Sequence, residues 1–279
     1  MGDVLWIEPV IRQLAAQYKK VVIHTRSNVL FENYPLQNVV FKDEQNVWEK
    51  LASRLALWFG RIPLLVNLDR CYEQKPQMHI LHAYQEKLHL PLTCEYPKIY
   101  LSAKEKERNI VWDKYVVLHL DSCSEKNYRK VFGIDWGEVA SYLSKKGYRV
   151  IQIGNQSMDI QNIQYVKTNV REMMSLIAKS QMFVGIDSGP SHIAASLGIP
   201  SLIFFGAVNP LFRHFPKLFN GYFLQQPCEY AGCFHMKIGT EKLSCRIVGD
   251  HGIPQCSLHS NSNLMGYIDR LIDKSQKHA

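Results

Sequence analysis

The stretch 184–206, VGIDSGPSHIAASLGIPSLIFFG, joins two apolar runs through a polar Asp-Ser-Gly-Pro segment. The apolar residues that end at Ile186 predict a strand buried on both faces, as in a parallel sheet. Pro190 suits the first turn of a helix, because the N–H that proline lacks would have no helical partner there. The stretch therefore predicts strand, tight turn and helix, which is the βα unit of an α/β protein.

The same alternation runs along the chain and predicts two α/β domains, 1–108 and 109–279, facing a cleft. A charged helical linker is expected at 103–109. Open α/β sheets bind ligands at the carboxyl ends of their strands, and Asp187 stands at one such end. The predicted strands are 21–25, 39–42, 64–68, 98–101, 115–120, 149–153, 182–186 and 201–205, and the predicted helices are 4–18, 44–59, 78–88, 136–145, 170–179, 191–197 and 264–274.

The composition favours a globular protein with an anionic partner. The chain has 279 residues, is 46% hydrophobic and carries a formal charge of +8. This charge suits an anionic ligand, a membrane surface or nucleic acid, and equally a solvated basic surface. No motif supports nucleic-acid binding, and no G-x-G-x-x-G follows a strand near either domain start, which disfavours a dinucleotide oxidoreductase. Seven cysteines, an odd number, with no visible signal peptide or membrane-length apolar run, predict a cytoplasmic protein.

The Asp-Ser-Gly-Pro turn has two interpretations. Ser188 and Gly189 lie at a helix entrance, where backbone N–H groups and the helix dipole favour an anion. Asp187 is suited to accept hydrogen bonds from sugar hydroxyls. Alternatively, Asp187 and Ser188 only cap the helix. His192, one turn further on, is either a ligand contact or a buried, hydrogen-bonded core residue.

The segment 187–210 resembles the signature of the heptosyltransferase family, glycosyltransferase family nine. The matching positions are Asp187 to Pro190, His192, Ala194, Ala195, Phe205, Gly206 and Pro210, whereas 207–209 depart from the pattern. Two further segments, 166–180 and 1–18, are similar to two other blocks of that family in the same order.

The resemblance implies a GT-B fold, with two Rossmann-like domains around a cleft and the sugar donor in the second. It implies inverting sugar transfer, without a metal or other cofactor, from an ADP-heptose-like nucleotide sugar to a lipopolysaccharide-core or related surface-glycan acceptor. The implied donor contacts are Lys167, Thr168, Asp187, Ser188, Gly189, His192 and a cation, Arg129 or Lys130, whose register is ambiguous by one residue.

The resemblance also implies that Asp3 is the general base. From the residues alone, Asp3 is equally a good N-cap, and Glu8 is either a supporting residue or a surface residue. Members of the family begin with a strand ahead of this Gly-Asp loop, and this sequence starts at the loop. The alternative function is therefore a truncated or catalytically inactive GT-B protein that binds a nucleotide sugar.

The expected partners are the nucleotide sugar and a glycolipid or glycan acceptor, with a monomeric protein that associates peripherally with the inner membrane face. Nucleic acid is not an expected partner. Cys228, Cys233, Cys245 and Cys256 form a cluster in the tail. Only the first pair has a spacing close to that of zinc ligands, with His235, His251 and His259 as other candidates, so free thiols and a structural metal both stay open.

Overall fold

The computed structural model describes residues 1–43, 47–59, 65–107, 112–120, 129–236, 245 and 252–276. It divides into two compact units, one made of Met1 and Asp3–Tyr100 and the other of Gly2 and Leu101–Ala279. The domain boundary expected at 108/109 falls within 108–111, outside the described residues, and stays a prediction.

The first unit contains a two-stranded parallel sheet in its described part, with Val21 paired to Val39. The predicted helix 4–18 is instead two helices, because Pro9 constrains the residues before it and lacks a backbone N–H. The unit's elements are α1 (Gly2–Leu5), α2 (Glu8–Gln17), β1 (Val21–His24), a 3₁₀ turn (Asn28–Phe31), β2 (Val39–Lys42), α3 (Val47–Phe59) and α4 (Ile80–Lys87).

Two strands expected in this unit are not strands in the described residues. In the predicted strand 98–101, the Lys98 N–H donates to the buried carboxylate of Glu8 at 2.9 Å and is not available to a ladder. Of the predicted strand 64–68, residue 64 lies outside the described residues, residue 65 forms a single bridge and 66–68 are irregular.

The second unit is built on six parallel strands in the order β5-β4-β3-β6-β7-β8. The prediction did not include β5 and β8, which are edge strands of three and four residues. The elements are α5 (Ala103–Glu107), β3 (Tyr115–His119), α6 (Trp136–Lys145), β4 (Arg149–Gln152), β5 (Ile163–Tyr165), α7 (Val170–Ala178), β6 (Met182–Ile186), α8 (Gly189–Ser196), β7 (Ser201–Phe204), β8 (Gly221–Leu224) and α9 (Asn261–Gln276), with 3₁₀ turns at Pro210–Phe212, Cys233–Met236 and Gln255–Ser257.

The order of these strands creates a switch point between β3 and β6. From β3 the chain adds β4 and β5 on one side, then returns to add β6, β7 and β8 on the other. Every residue of β3 and β6 is buried, and His119 is paired with Gly185 at their carboxyl ends. Connections leave these two strands in opposite directions, which opens a crevice above their carboxyl ends.

The charged helix α5 is tied to the second unit by a two-pronged ion pair. Arg171 in α7 donates from Nε and Nη2 to the two carboxylate oxygens of Glu105, each at 2.7 Å. Glu105 also accepts hydrogen bonds from the backbone and hydroxyl of Ser102. Chiefly through Arg171, these contacts lower the pKa of Glu105 to about 2.

Replacing this carboxylate should destabilise the protein in a pH-dependent way. Glu105→Gln should lower the free energy of unfolding near neutral pH by about 2 kcal/mol, because a charge-assisted pair is lost. The folded pKa is depressed, so the stabilisation is complete above the ordinary value of 4.5 and fades as the pH falls towards 2. Urea unfolding across this pH range should show that the free energies of unfolding of the unaltered protein and the variant become equal in acid. A pH-independent difference, or an equal loss in the exposed Glu107→Gln control, would contradict the assignment.

Candidate functional site

A hydrogen bond between Ser188 and His119 joins the two strands at the switch point. The Ser188 hydroxyl lies 3.2 Å from His119 Nδ1 and donates to the Ile186 carbonyl at 3.1 Å. Since the hydroxyl proton goes to that carbonyl, His119 Nδ1–H is the donor of the first contact. The bond fixes the start of α8 against the end of β3.

The start of α8 combines a helix cap with this cross-strand contact. Ser188 is the N-cap residue and forms a capping box with Ser191, and Gly189 is the first helical residue. The prediction of a cap at Ser188 is thus confirmed, but the additional bond to His119 is not something a cap requires. Asp187 is not the cap: its N–H pairs with the Phe204 carbonyl, and its buried carboxylate points to the interior of the site.

Asp187, His192 and His214 form a buried cluster below the turn. The His192 Nε2 lies 3.6 Å from Asp187 Oδ1, and the two imidazoles stack with their centroids 4.7 Å apart. Burial, followed by the positive charges of Arg213 and Arg129, lowers the pKa of His192 to about 3. Burial likewise lowers the pKa of His214 well below its ordinary value. Both rings are therefore neutral at physiological pH. The alternative prediction that His192 is a buried residue is confirmed.

The cluster has the residue types of a metal site but the electrostatics of an anion site. The ligand atoms of Asp187, His192 and His214 lie within 4.8 Å of one another, the one such group among the described residues. However, the rings face each other in a stack, and Arg213 and Arg129 act on the same His192. Two fixed positive charges oppose a cation and favour a negatively charged ligand. The arginines thus favour an anion near His192, while the Asp187 carboxylate and the two imidazoles keep the residue types of a metal site.

Of the two candidate cations after β3, the structure brings Arg129 to this cluster. Its guanidinium acts electrostatically on His192, and its Nε is buried without a hydrogen-bond partner among the described residues. Lys130 is exposed. The geometry thus favours Arg129 over Lys130 as the cation of the site. The residues directly before it, 121–128, lie outside the described residues.

Three residues of the site were missed from the sequence: His119, Arg213 and His214. Arg213 is 5% exposed, follows the Pro210–Phe212 turn beyond the carboxyl end of β7, and donates to the Phe212 carbonyl. His119 ends the apolar strand YVVLH. For His119 a signal was available, because it is a polar residue at the end of an apolar strand. Nothing in the spacing, however, set Arg213 apart from the chain's other cations.

Lys167 and Thr168 lie at the same end of the sheet but further along it. They follow β5, with Lys167 exposed and Thr168 half-buried. Three strand spacings, about 14 Å, separate β5 from β6. The structure therefore does not place them in contact with the Asp187 cluster, although a ligand as long as a nucleotide sugar spans that distance.

Asp3 belongs to the first unit and is not an N-cap. It is the second residue of α1, whose N-cap is Met1. Its Oδ2 accepts a hydrogen bond from the Tyr72 hydroxyl at 2.8 Å, and its backbone carbonyl accepts one from Tyr84. Glu8 is fully buried against Arg12, so the surface interpretation of Glu8 is wrong. A tyrosine hydroxyl thus orients the Asp3 carboxylate.

The tail cysteines approach one another without forming a compact metal-binding group in the described residues. Burial raises the pKa of the Cys256 thiol, and Cys228, Cys245 and Cys233 raise it further through their charge. The six described cysteines are not in disulfides. Cys123 and His251 lie outside the described residues.

The model of glycosyltransferase family 9 (heptosyltransferase) matches residues 63–216, more than half of the chain. The chain belongs to this family. Over 128 residues, 45% of the chain, it is 31% identical to lipopolysaccharide heptosyltransferase 1 of Campylobacter coli. This alignment spans only about a third of that curated relative, 36% of its length.

Solved heptosyltransferase structures share the fold of this family 9 chain. The dodecameric iron-containing heptosyltransferase TibC of enterotoxigenic Escherichia coli, in complex with ADP-D-beta-D-heptose, aligns with a TM-score of 0.72 at 17% identity, covering 99% of this chain and 76% of TibC. The E. coli ADP-heptose heptosyltransferase II aligns with a TM-score of 0.62 at 15% identity, covering 100% and 97%. The expected GT-B class, two α/β units with Rossmann-like parallel sheets, is confirmed. Among the described residues, no helix combines the length and apolar character needed to cross a bilayer.

The effect of the Arg213 charge should be measurable as a change in the pKa of His192. Arg213→Met keeps much of the buried volume but removes a positive charge that disfavours protonation. We expect the pKa of His192 to rise from about 3 while staying below its ordinary value, because burial remains. Titration of the imidazole signals by NMR would show the change. An unaltered His192 titration in a folded variant would mean that Arg213 does not act on the cluster.

Proposed function

We propose that this family 9 protein is an inverting glycosyltransferase that moves a heptose-like sugar from an ADP-heptose-like donor to a lipopolysaccharide-core or related surface-glycan acceptor. The carrying observation is the switch-point site, in which buried hydroxyl-binding groups lie beside the positive charges of Arg129 and Arg213. Such a pairing matches a sugar diphosphate. Relatives named as heptosyltransferases, one of them in complex with ADP-D-beta-D-heptose, support the donor.

In this proposal the donor lies across the carboxyl edge of the second unit's sheet. Arg129 neutralises the diphosphate, which also meets the backbone at Ser188 and Gly189, where the absence of a Gly side chain permits a close approach. Lys130, the other candidate cation, lies at the surface. Asp187 and His192 hold sugar hydroxyls, His192 as a neutral imidazole.

The nucleoside end of the donor is assigned to Lys167 and Thr168. Both follow β5, on the side of the sheet away from β6. The spacing of about 14 Å between β5 and β6 leaves room for a diphosphate between nucleoside and sugar.

The chemical step assigned to Asp3 is proton removal. Its carboxylate takes the proton of the acceptor hydroxyl, whose oxygen forms a bond to the anomeric carbon of the donor. The anomeric C–O bond to the diphosphate breaks, and its electron pair leaves on the diphosphate oxygen. The hydrogen bond from Tyr72 orients the carboxylate for this role. Attack from the face opposite the leaving group inverts the anomeric centre.

The proposed transfer uses no metal, because fixed arginines take the place of a divalent ion on the diphosphate. A structural metal is a separate matter. TibC is described as iron-containing, and the tail of this chain brings four thiols into electrostatic range of one another. We expect transfer to continue at full rate when a chelator is present in the assay. Loss of transfer that added divalent metal restores would contradict metal-independent chemistry.

Donor affinity should distinguish the two neighbouring cations. Arg129→Ala should weaken binding of ADP-heptose about tenfold or more, because a partly buried charge that contacts phosphate is removed. Lys130→Ala, with an exposed side chain, is the matched control and should bind nearly as the unaltered protein does. Calorimetric titration provides both affinities. Equal affinities in all three proteins would remove Arg129 from the donor site.

Asp3→Asn should reduce turnover far more than donor affinity. The amide is nearly the same size and still accepts a bond from Tyr72, but it cannot take a proton; loss of a positioned base costs about 10²–10⁴-fold in rate. Transfer kinetics and donor titration together separate the two effects. Near-normal turnover in the Asn variant would remove Asp3 from the mechanism. Tight donor binding by the unaltered protein without transfer to any of a panel of glycan acceptors would favour the inactive binder.

A further inference from the structure

Helix α3 presents a continuous apolar face to solvent. Its residues Trp48, Leu51, Leu55 and Trp58 recur every three or four positions and therefore lie on one side of the helix. Their exposures are 79%, 49%, 42% and 88%, and Val47 at the start of the helix is 78% exposed. Large hydrophobic side chains at such exposures are normally scattered singly on a soluble protein, so five on one helix face indicate a docking surface.

The other side of α3 faces its own unit. Glu49 lies 3.5 Å from His24 at the end of β1 and 3.6 Å from Lys42 at the end of β2. The helix is thus fixed in orientation, with its acid turned inward. The apolar face points away from the two-stranded sheet and does not contribute to that contact.

The charges around this face are positive. Lys50 and Arg54, one turn apart, are exposed along one edge of the apolar stripe. The exposed residues of α3 that the structure describes include no acid, and the whole chain carries a formal charge of +8. An apolar stripe with tryptophans and flanking cations is the pattern of a helix that lies in the interface of an anionic membrane.

We propose that this face of α3 docks the protein onto an anionic lipid bilayer. The 13 residues of α3 span about 20 Å, less than the ~30 Å hydrocarbon core, so the helix lies along the surface and does not cross it. The tryptophans enter the headgroup region while Lys50 and Arg54 meet lipid phosphates. The inference rests on the proposed function, because a glycolipid acceptor embedded in the bilayer is the reason for the protein to contact it.

A second copy of the chain fits this surface less well. Two copies that met through the same face would bring four like charges to one apolar contact, without an exposed acid on α3 to balance them. An anionic bilayer supplies the opposite charge together with the apolar phase. The lipid surface is therefore the occupant that matches both properties.

The test is flotation of the full chain with vesicles. Vesicles of phosphatidylethanolamine with phosphatidylglycerol should carry the protein, and vesicles of phosphatidylcholine alone should carry much less. Trp48→Gln with Trp58→Gln should weaken partition about tenfold or more. Leu92→Gln with Leu218→Gln, at positions 59% and 52% exposed, is the apolar control and should float normally.

Charge reversal provides a second arm. Lys50→Glu with Arg54→Glu should abolish the preference for anionic vesicles. Lys19→Glu with Lys20→Glu makes the same change in net charge at exposed positions and should retain most of that preference. If the unaltered protein does not float with anionic vesicles, or if the tryptophan variant floats equally well, the proposal is overturned. Absence of vesicle binding with a tryptophan-dependent oligomer, measured by light scattering, would assign the face to a second copy.

Vesicle binding and catalysis can be separated in one further assay. The tryptophan variant should transfer sugar normally to a water-soluble, delipidated acceptor and poorly to the same glycan on vesicles. Failure of transfer in every protein would refute the proposed function. The flotation result could still be interpreted, because vesicle binding does not depend on catalysis. Equal transfer by the variant to both acceptors would show that docking does not serve the enzyme.

Discussion

The pairing of β3 with β6 is the constraint on which the candidate site depends. These two strands are sequentially remote, and each is buried throughout. Their alignment places His119 beside the turn that follows β6, and the hydrogen bond to Ser188 links the two chain segments. Without that register, the polar residues after each strand would be separate loops. With it, they form one site at the switch point of the sheet.

The site's electrostatics follow from burial combined with nearby arginines. Two imidazoles lie in the protein interior and are kept neutral, while Arg213 and Arg129 maintain a positive field on the same cluster. A ligand with a negative group and several hydroxyls would suit both the arginine charges and the neutral imidazoles. Under the proposed function this ligand is the sugar diphosphate of the donor, although the residue types of Asp187, His192 and His214 are also those of metal ligands.

The first unit has a different physical character. Glu8 is fully buried yet well paired, with Arg12 beside it and the Lys98 N–H as a further donor. This buried carboxylate accepts the backbone hydrogen bond of Lys98 that a strand at 98–101 would have made to a neighbouring strand. On the outside of the same unit, α3 exposes apolar residues that a purely soluble unit would cover. The first feature has an inward structural role, and the second is the surface for which docking is proposed.

The second unit followed from the sequence more completely than the first. The strand Met182–Ile186 and the helix Trp136–Lys145 were predicted with their observed bounds, because a doubly buried strand is apolar throughout and an amphipathic helix repeats every three or four residues. The edge strands β5 and β8 were missed because β5 has a glutamine at its centre and β8 begins at the turn-like pair Asn220-Gly221. In the first unit, the expected strand 98–101 was wrong because its backbone bonds to a remote carboxylate, which no local pattern reveals.

The sequence by itself determined the family, the α/β class and the polar turn at Asp187 to Gly189, because each depends on residues that are adjacent in the chain. Only the tertiary structure brought Arg129 into electrostatic range of His192, added His119, Arg213 and His214 to the site, and showed that Asp3 accepts a hydrogen bond from Tyr72 and is not a cap. It also showed that the apolar face of α3 points outward. The reason is the same in each case: a side chain's burial, its charged neighbours and its hydrogen-bond partners come from segments that are far apart in the chain and meet only when the sheets form.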